Sequence, residues 1–295
     1  MCGRYASARK RIELLEEFSV ERDRTTQPLA PDYNVAPTKA VYAVLSRDGR
    51  DGADDGQGPA RQLRVVRWGL VPGWAKDVSI GSRLINARSE TVAEKPAFRR
   101  AFARRRCLLP ADGYYEWMVL GGGEAADRPG KKAKQPYFIH RADGGPLAFA
   151  GLYELWRDRS VPDQDPAAWL WSATIITTTA PDELGEIHDR MPMVIPPESW
   201  ADWLDPAGTD VADLRALLAP AVVSGLASYP VSTEVNSVRN NGPQLIEPVE
   251  IARSIQVAPL RSPPSGPAQP PAAPEARAGD VGAAAGRSAA GARLP

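Results

Sequence analysis

Along residues 2 to about 250, hydrophobic positions fall into short β-branched or aromatic runs divided by polar, Gly- and Pro-containing stretches. That pattern predicts one domain of short strands and irregular loops with a few helices. Helical spacing occurs at residues 9–18 (Ile12, Leu14, Leu15, Phe18), at the basic segment 97–106, at 197–204 and at 210–218, where Thr209 or Asp210 is the cap. Strands are expected at 41–45, 63–68, 107–110, 113–119, 135–140, 147–155 and 169–179, the last apolar and β-branched and so buried. Residues 83–88 read as extended, and 222–231 and 246–249 as edge segments. The Asp- and Gly-containing stretch 46–62 is a solvent loop, and the Gly- and Lys-rich stretch 121–134 is a turn between strands.

From about residue 258 the composition collapses to Pro, Ala, Gly, Ser and scattered Arg. Such a segment buries too little apolar surface to offset its ordering entropy, so the chain divides into a domain over 2–255 and a disordered tail over 256–295. In the whole chain of 295 residues, 43% hydrophobic and 24% charged residues describe a soluble globular protein with a sizeable core. Its formal net charge of zero argues against a uniformly positive coat, though not against a local basic groove. The two cysteines, Cys2 and Cys107, make neither a disulfide framework nor a metal set, so no metal and no cofactor are expected, and the cytoplasm is the expected compartment. No apolar run approaches the roughly 18 residues of a membrane span. The start Met-Cys-Gly-Arg-Tyr is neither a signal peptide nor a lipoprotein box.

Cys2 carries the most distinctive chemistry. If Met1 is removed, it presents a free α-amine and a thiol on adjacent carbons. A 1,2-aminothiol condenses with an aldehyde: the amine forms a Schiff base and the sulfur closes a five-membered thiazolidine. Ordinary pKa values of about 7.7–8.0 for the amine and about 8.5 for the thiol leave both usable near neutral pH. A Met-Cys start alone is equally an accident of translation.

Four segments concentrate polar groups: Cys2-Gly-Arg4, Asn86-Ala-Arg88, Gly113-Tyr-Tyr-Glu116-Trp117 and His188-Asp-Arg190-Met-Pro192. In extended chain, residues i and i+2 share a face, so Cys2 is expected to face with Arg4, Asn86 with Arg88, and His188 with Arg190. Three such pairings suggest a reactive sugar or ester held between phosphates, whose oxygens suit the planar, permanently charged guanidinium. The alternative is solvent-facing arginines beside buried polar groups. Glu116 lies among Tyr114, Tyr115 and Trp117, where burial would raise its pKa toward general-acid work; a salt-bridged carboxylate at a strand edge is the plainer reading. His188 sits in a Pro-bounded loop and is a better candidate than His140, which alternates in a strand pattern. Asn86 equally satisfies backbone groups at a strand end, and Cys107, beside Leu108 and Leu109, reads as inert packing.

The run Arg99, Arg100, Arg104, Arg105, Arg106 would cover adjoining faces of a helix, as a solvated surface or as a track for a nucleic-acid backbone. Trp68 and Trp74 flank a Pro72-Gly73 turn, where a tryptophan either packs in the core or stacks on an exposed base.

Seven motifs occur in order: Met-Cys-Gly-Arg at the start, Tyr33-Asn-Val-Ala-Pro37, Trp68-Gly-Leu-Val-Pro-Gly-Trp74, Asn86-Ala-Arg-Ser-Glu-Thr91, Gly113-Tyr-Tyr-Glu-Trp117, His188-Asp-Arg-Met-Pro192 and Val235-Asn-Ser-Val-Arg-Asn240. Together, over roughly residues 2–250, the chain resembles the SOS response-associated peptidase (SRAP) family. The resemblance implies an α+β domain with a mostly antiparallel, barrel-like β core and flanking helices. It also implies capture of abasic sites in single-stranded DNA as a covalent protein–DNA crosslink that shields the lesion. Carried onto this chain, it makes Cys2 the nucleophile, with Asn86, Glu116 and His188 as the other catalytic residues. Arg4, Arg88 and Arg190 become phosphate ligands, and Pro37 and Trp74 the wedge between bases. Some members carry a second aromatic after that tryptophan; here it is Ala75. The expected partner is single-stranded DNA with abasic sites, bound by a monomer. Two other readings stay open: a cysteine peptidase with Cys2, His188 and Asn86 as nucleophile, base and orienter, and a non-covalent reader of modified or single-stranded DNA.

Overall fold

The computed structural model describes residues 2–47, 59–120, 133–162, 164–218 and 225–251. The disordered tail expected over 256–295 and most of the two polar loops lie outside the described residues. The strands are β1 (Tyr5–Ser7), β2 (Arg22–Asp23), β3 (Asp32–Val35), β4 (Ala40–Arg47), β5 (Ala60–Trp68), β6 (Asn86–Arg88), β7 (Arg106–Ala111), β8 (Gly113–Val119), β9 (Lys134–Arg141), β10 (Leu147–Arg157), β11 (Trp169–Thr179), β12 (Arg190–Pro192) and β13 (Leu226–Pro230). The helices are α1 (Arg11–Glu17), α2 (Arg99–Arg104), α3 (Asp182–Gly185), α4 (Trp200–Leu204) and α5 (Val211–Leu217).

Strands β11, β10, β7, β4 and β5 are successive antiparallel neighbours, and β5 then pairs back onto β11 in parallel, with Arg67 opposite Ser172 and Trp68 opposite Ala173. A five-stranded barrel is thereby closed, which removes the exposed edges an open sheet would present. A second antiparallel sheet runs in the order β13-β9-β8-β1-β3. The domain is α+β with a mostly antiparallel, barrel-like core.

Alternation along the barrel strands feeds two cores. Val41, Ala43 and Leu45 of β4, with Cys107 and Leu109 of β7, enter a core shared with Tyr5, Tyr114 and Ile139 of the second sheet. The intervening Tyr42, Val44 and Leu108 enter another, with Leu14 of α1, Phe102 of α2, Trp203 of α4 and Leu214 of α5. Both faces of these strands are covered, so they read as nearly continuous apolar runs rather than as one-sided ones. A third cluster, including Ala6, Tyr115, Phe138, Val231, Val235 and Leu245, backs the second sheet.

Several boundaries differ from the sequence reading. The stretch 83–88 is extended only at β6; a short 3-10 helix, Val78–Arg83, precedes it, capped by Asp77, which accepts from the Ser79 N–H at 2.7 Å. The basic helix stops at Arg104 because Arg106 turns inward. Its buried guanidinium donates to the carbonyls of Phe102, Ala103, Trp203, Asp205 and Gly208, satisfying helix-end acceptors that otherwise lack partners. Arg105 pairs with Glu154, so these two leave the basic run for structural work. Residues 246–249 form no strand: Pro243–Ile246 is a 3-10 helix, and a single bridge joins Val231 to Pro248. Asp210, not Thr209, caps α5, accepting from the N–H groups of Ala212 and Asp213.

Candidate active site

The site forms where the start of the chain meets β8, β6 and the turn before β12. Tyr5 of β1 pairs with Tyr114 of β8, and the Tyr115 N–H donates to the Arg4 carbonyl at 3.0 Å. This lays the first residues against β8 and brings the Cys2 thiol into the field of Glu116. Strand β6 runs parallel to β11, Asn86 opposite Ile175, and the Asn86 side-chain amide donates to the Cys2 carbonyl at 2.7 Å. The Asn86 side-chain oxygen is buried and has no partner among the described residues, leaving an acceptor beside the chain terminus.

Cys2 is fully buried, in the same core as Tyr5, Trp68 and Tyr114. Burial, reinforced by the Glu116 charge, pushes its thiol far above the ordinary range. The ordinary thiol pKa assumed from sequence therefore does not hold: the sulfur stays protonated at neutral pH and needs a neighbouring base to become a nucleophile. Glu116 is only 4% exposed. Burial, with the Asp189 carboxylate adding to it, pushes its pKa up to about 7. A carboxyl poised there exchanges protons in either direction at physiological pH.

His188 places Nε2 4.0 Å from a Glu116 carboxylate oxygen. Its Nδ1 accepts from the Arg190 backbone N–H at 3.0 Å, which assigns the neutral ring's proton to Nε2, facing Glu116. Asp189 also lies 2.9 Å from Nδ1 but is largely exposed, so it becomes the partner only when the ring is protonated. Burial lowers the His188 pKa, which keeps the ring neutral. Asn86 is bonded to the Cys2 carbonyl, while His188 faces Glu116.

The arginines divide. Alternation holds at β6, where buried Ala87 separates Asn86 from exposed Arg88. It fails at the terminus, because β1 begins only at Tyr5. Cys2 enters the main core, while Arg4 turns to Asn34 (2.6 Å), to the Val235 carbonyl (2.9 Å) and over the Trp117 ring. Arg190 is held by both oxygens of Glu90, with Nη2 also donating to the Thr177 carbonyl at 2.6 Å. His188 lies before β12 rather than on it. The expected pairing of His188 with Arg190 is a backbone-to-ring bond, not two side chains presented together.

The turn after β5 presents Trp74, which is 60% exposed, whereas Trp68 is fully buried and donates its indole N–H to the Ile85 carbonyl. The Trp156 indole anchors the turn by donating to the Ala75 carbonyl at 2.7 Å. Gly69 begins it at φ +122, with the Gly81 carbonyl oxygen 2.6 Å from where a Cβ would sit, so no other residue fits. Pro37 precedes Thr38, whose N–H donates to the Trp68 carbonyl at 2.8 Å, tying the segment after β3 to the end of β5.

Sequence reasoning missed two residues. Asn34 is buried and its amide bonds the carbonyls of Val235, Ser237 and Asn240, which locks the motif at 33–37 onto the motif at 235–240. Glu90 lies inside the 86–91 motif, but its partner Arg190 is 100 residues away, beyond any periodicity signal. Among the described residues no three His, Cys, Asp or Glu side chains gather as a metal site, and no helix is long and apolar enough to cross a membrane.

The model of the SOS response associated peptidase (SRAP) family matches residues 1–238. The chain belongs to the SRAP family. It is 38% identical to the abasic site processing protein YoqW of Bacillus subtilis over 84% of this chain and 99% of that protein. It is 34% identical to the abasic site processing protein YedK of Escherichia coli, over 84% of this chain and 100% of that protein. A crystal structure of a Bacteroides thetaiotaomicron protein, 23% identical, superposes with a TM-score of 0.67 over 84% of this SRAP chain and all of that one, a likeness of fold.

Proposed function

We propose that this SRAP protein captures abasic sites in single-stranded DNA by condensing the Cys2 aminothiol, freed of Met1, with the sugar aldehyde. The observation that carries this reading is the convergence on the chain terminus of Asn86, bonded to the Cys2 carbonyl, and buried Glu116, whose carboxyl titrates at about 7. The names of YoqW and YedK support the same substrate class.

An abasic deoxyribose rests mainly as a closed hemiacetal. Glu116 gives its proton to the ring oxygen as the C1′–O4′ bond breaks, and His188 takes up the proton lost by the anomeric hydroxyl, becoming an imidazolium paired with Asp189, and returns it to the hydroxyl that later leaves as water. The neutral terminal amine attacks C1′, water leaves, and an imine forms. The thiol then adds across the C=N bond: sulfur bonds C1′ and the proton finishes on nitrogen, routed through the carboxylate that Glu116 became in the first step. One water is released overall. The unpartnered Asn86 oxygen orients the terminal amine. Arg88 contacts a flanking phosphate directly, Arg4 anchors the segment that leads from Cys2 into β1 and faces a phosphate with what remains of its guanidinium, and Arg190 engages phosphate once Glu90 releases it. Pro37 and Trp74 separate and stack on the neighbouring bases. Fixing the sugar between these groups converts a bimolecular condensation into a positioned one.

A denaturing gel with an abasic single-stranded oligonucleotide tests the reading. The expected result is a heat-stable adduct from wild type and none from Cys2→Ala. An undiminished adduct from that variant contradicts the proposal.

A further inference from the structure

Arg190 has no free end. Nη1 bonds Glu90 and reaches Thr179 at 3.4 Å; Nη2 bonds Glu90 at 3.1 Å and the Thr177 carbonyl at 2.6 Å. The Nε–H is buried without a partner among the described residues. The Arg190 side chain is 13% exposed, while the Glu90 carboxylate that closes it is 50% exposed. Two parallel N–H···O bonds from a guanidinium to two oxygens are also how arginine holds a phosphate. Arg88, exposed and two residues from Glu90, adds its charge to the same carboxylate. The group therefore carries one net positive charge with Glu90 in place, and would carry two if Glu90 were neutral.

We infer that Glu90 is an internal stand-in for a DNA phosphate, occupying the Arg190 fork in the free protein and yielding it when a strand seats. The inference rests on the single-strand-binding reading above and adds its regulation. A backbone phosphate must displace a partner that is covalently tethered and always present, which weakens binding to intact strands. Covalent capture does not share this limit, because the adduct persists once formed. Glu90 thus biases the protein toward damaged sites by suppressing residence on undamaged ones. Glu90 is a specificity-determining residue and has no part in the covalent steps.

The test is a double-mutant cycle on the full chain. Fluorescence anisotropy is read with an unmodified single-stranded oligonucleotide between about 50 and 200 mM salt. Glu90→Gln is expected to bind about tenfold tighter at the low end. One extra phosphate contact steepens the salt dependence by about 0.7 in log–log slope, so the advantage shrinks roughly threefold across that range. In an Arg190→Gln background the same substitution should gain less than about threefold. Glu90→Ala, which leaves Arg190 bonded to Thr177 and Thr179, should shift affinity in the same direction as Glu90→Gln. Equal or weaker binding in both Glu90 variants overturns the inference. An identical gain with and without Arg190 also does, since it reports only the removal of a nearby negative charge. Crosslinking of an abasic oligonucleotide by wild type is scored separately: its failure removes the Cys2 chemistry, and the cycle on intact DNA still decides the role of Glu90.

Discussion

The two cysteines are equally buried, sit in the same core, and both have thiols pushed far above their ordinary range, yet their surroundings differ in kind. Around Cys107 burial alone sets the thiol, and Gly151 lies so close across β10 that an added Cβ would fall 2.9 Å from the sulfur. Around Cys2, Asn86 bonds the backbone and Glu116 contributes its charge. Burial alone silences a thiol, as at Cys107. At Cys2 the same burial is matched with a carboxyl that titrates at about 7, so the proton the sulfur must lose has somewhere to go. In the proposed chemistry, reactivity belongs to the neighbours, not to the sulfur.

The sharpest way to break that contrast is substitution of each thiol. Cys2→Ala should abolish adduct on a denaturing gel. Cys107→Ala should leave adduct formation intact and lower stability by about 1–2 kcal/mol in a denaturant melt, the loss expected for a small buried side chain. Equal loss of adduct in both variants would erase the distinction.

Next in size is the acid. Glu116→Gln should slow adduct formation roughly 10²–10⁴-fold with DNA binding kept. The wild-type rate should lose its acid-dependent limb as pH rises through about 7, and that limb should vanish in the variant. Stability falls with pH in the same direction. Between the ordinary carboxylate value of 4.5 and about 7 the folded protein holds a proton that the unfolded chain has released, so folding weakens as pH rises across that window. Glu116→Gln should therefore raise the melting temperature at pH 8 more than at pH 5.

Asn86→Ala removes the bond to the Cys2 carbonyl and leaves that acceptor unsatisfied, an effect of about 1–3 kcal/mol, or roughly 5- to 150-fold in adduct rate. The smallest effect separates the two tryptophans of one motif. Trp74→Ala should weaken single-strand binding roughly tenfold, the loss of one stacked base, with an unchanged melting temperature. Trp68→Ala should instead cost about 3–5 kcal/mol of stability, as for any large buried aromatic.

What the sequence makes legible follows from range. Strand β11 is legible at residues 169–179, the bounds it has in the structure, because the run is apolar and β-branched, and Glu116 is announced by the aromatics beside it. Barrel closure is hidden, since β5 meets β11 through two residue pairs with no periodic signature. The divergence of Cys2 from Arg4 is hidden because alternation presumes a strand, and the strand starts at Tyr5. The Glu90–Arg190 pair is hidden because charges 100 residues apart leave no local pattern. Motif order pointed to the family; only the folded chain shows that one expected phosphate ligand is already occupied.

In the proposed chemistry, amine and sulfur of one residue act together on a sugar aldehyde. Intact mass spectrometry of the full-length protein, before and after incubation with an abasic oligonucleotide, tests it most directly. The expected result is a protein lacking Met1 and a single adduct equal to protein plus oligonucleotide less one water. An adduct that retains Met1, or no covalent species at all, contradicts it.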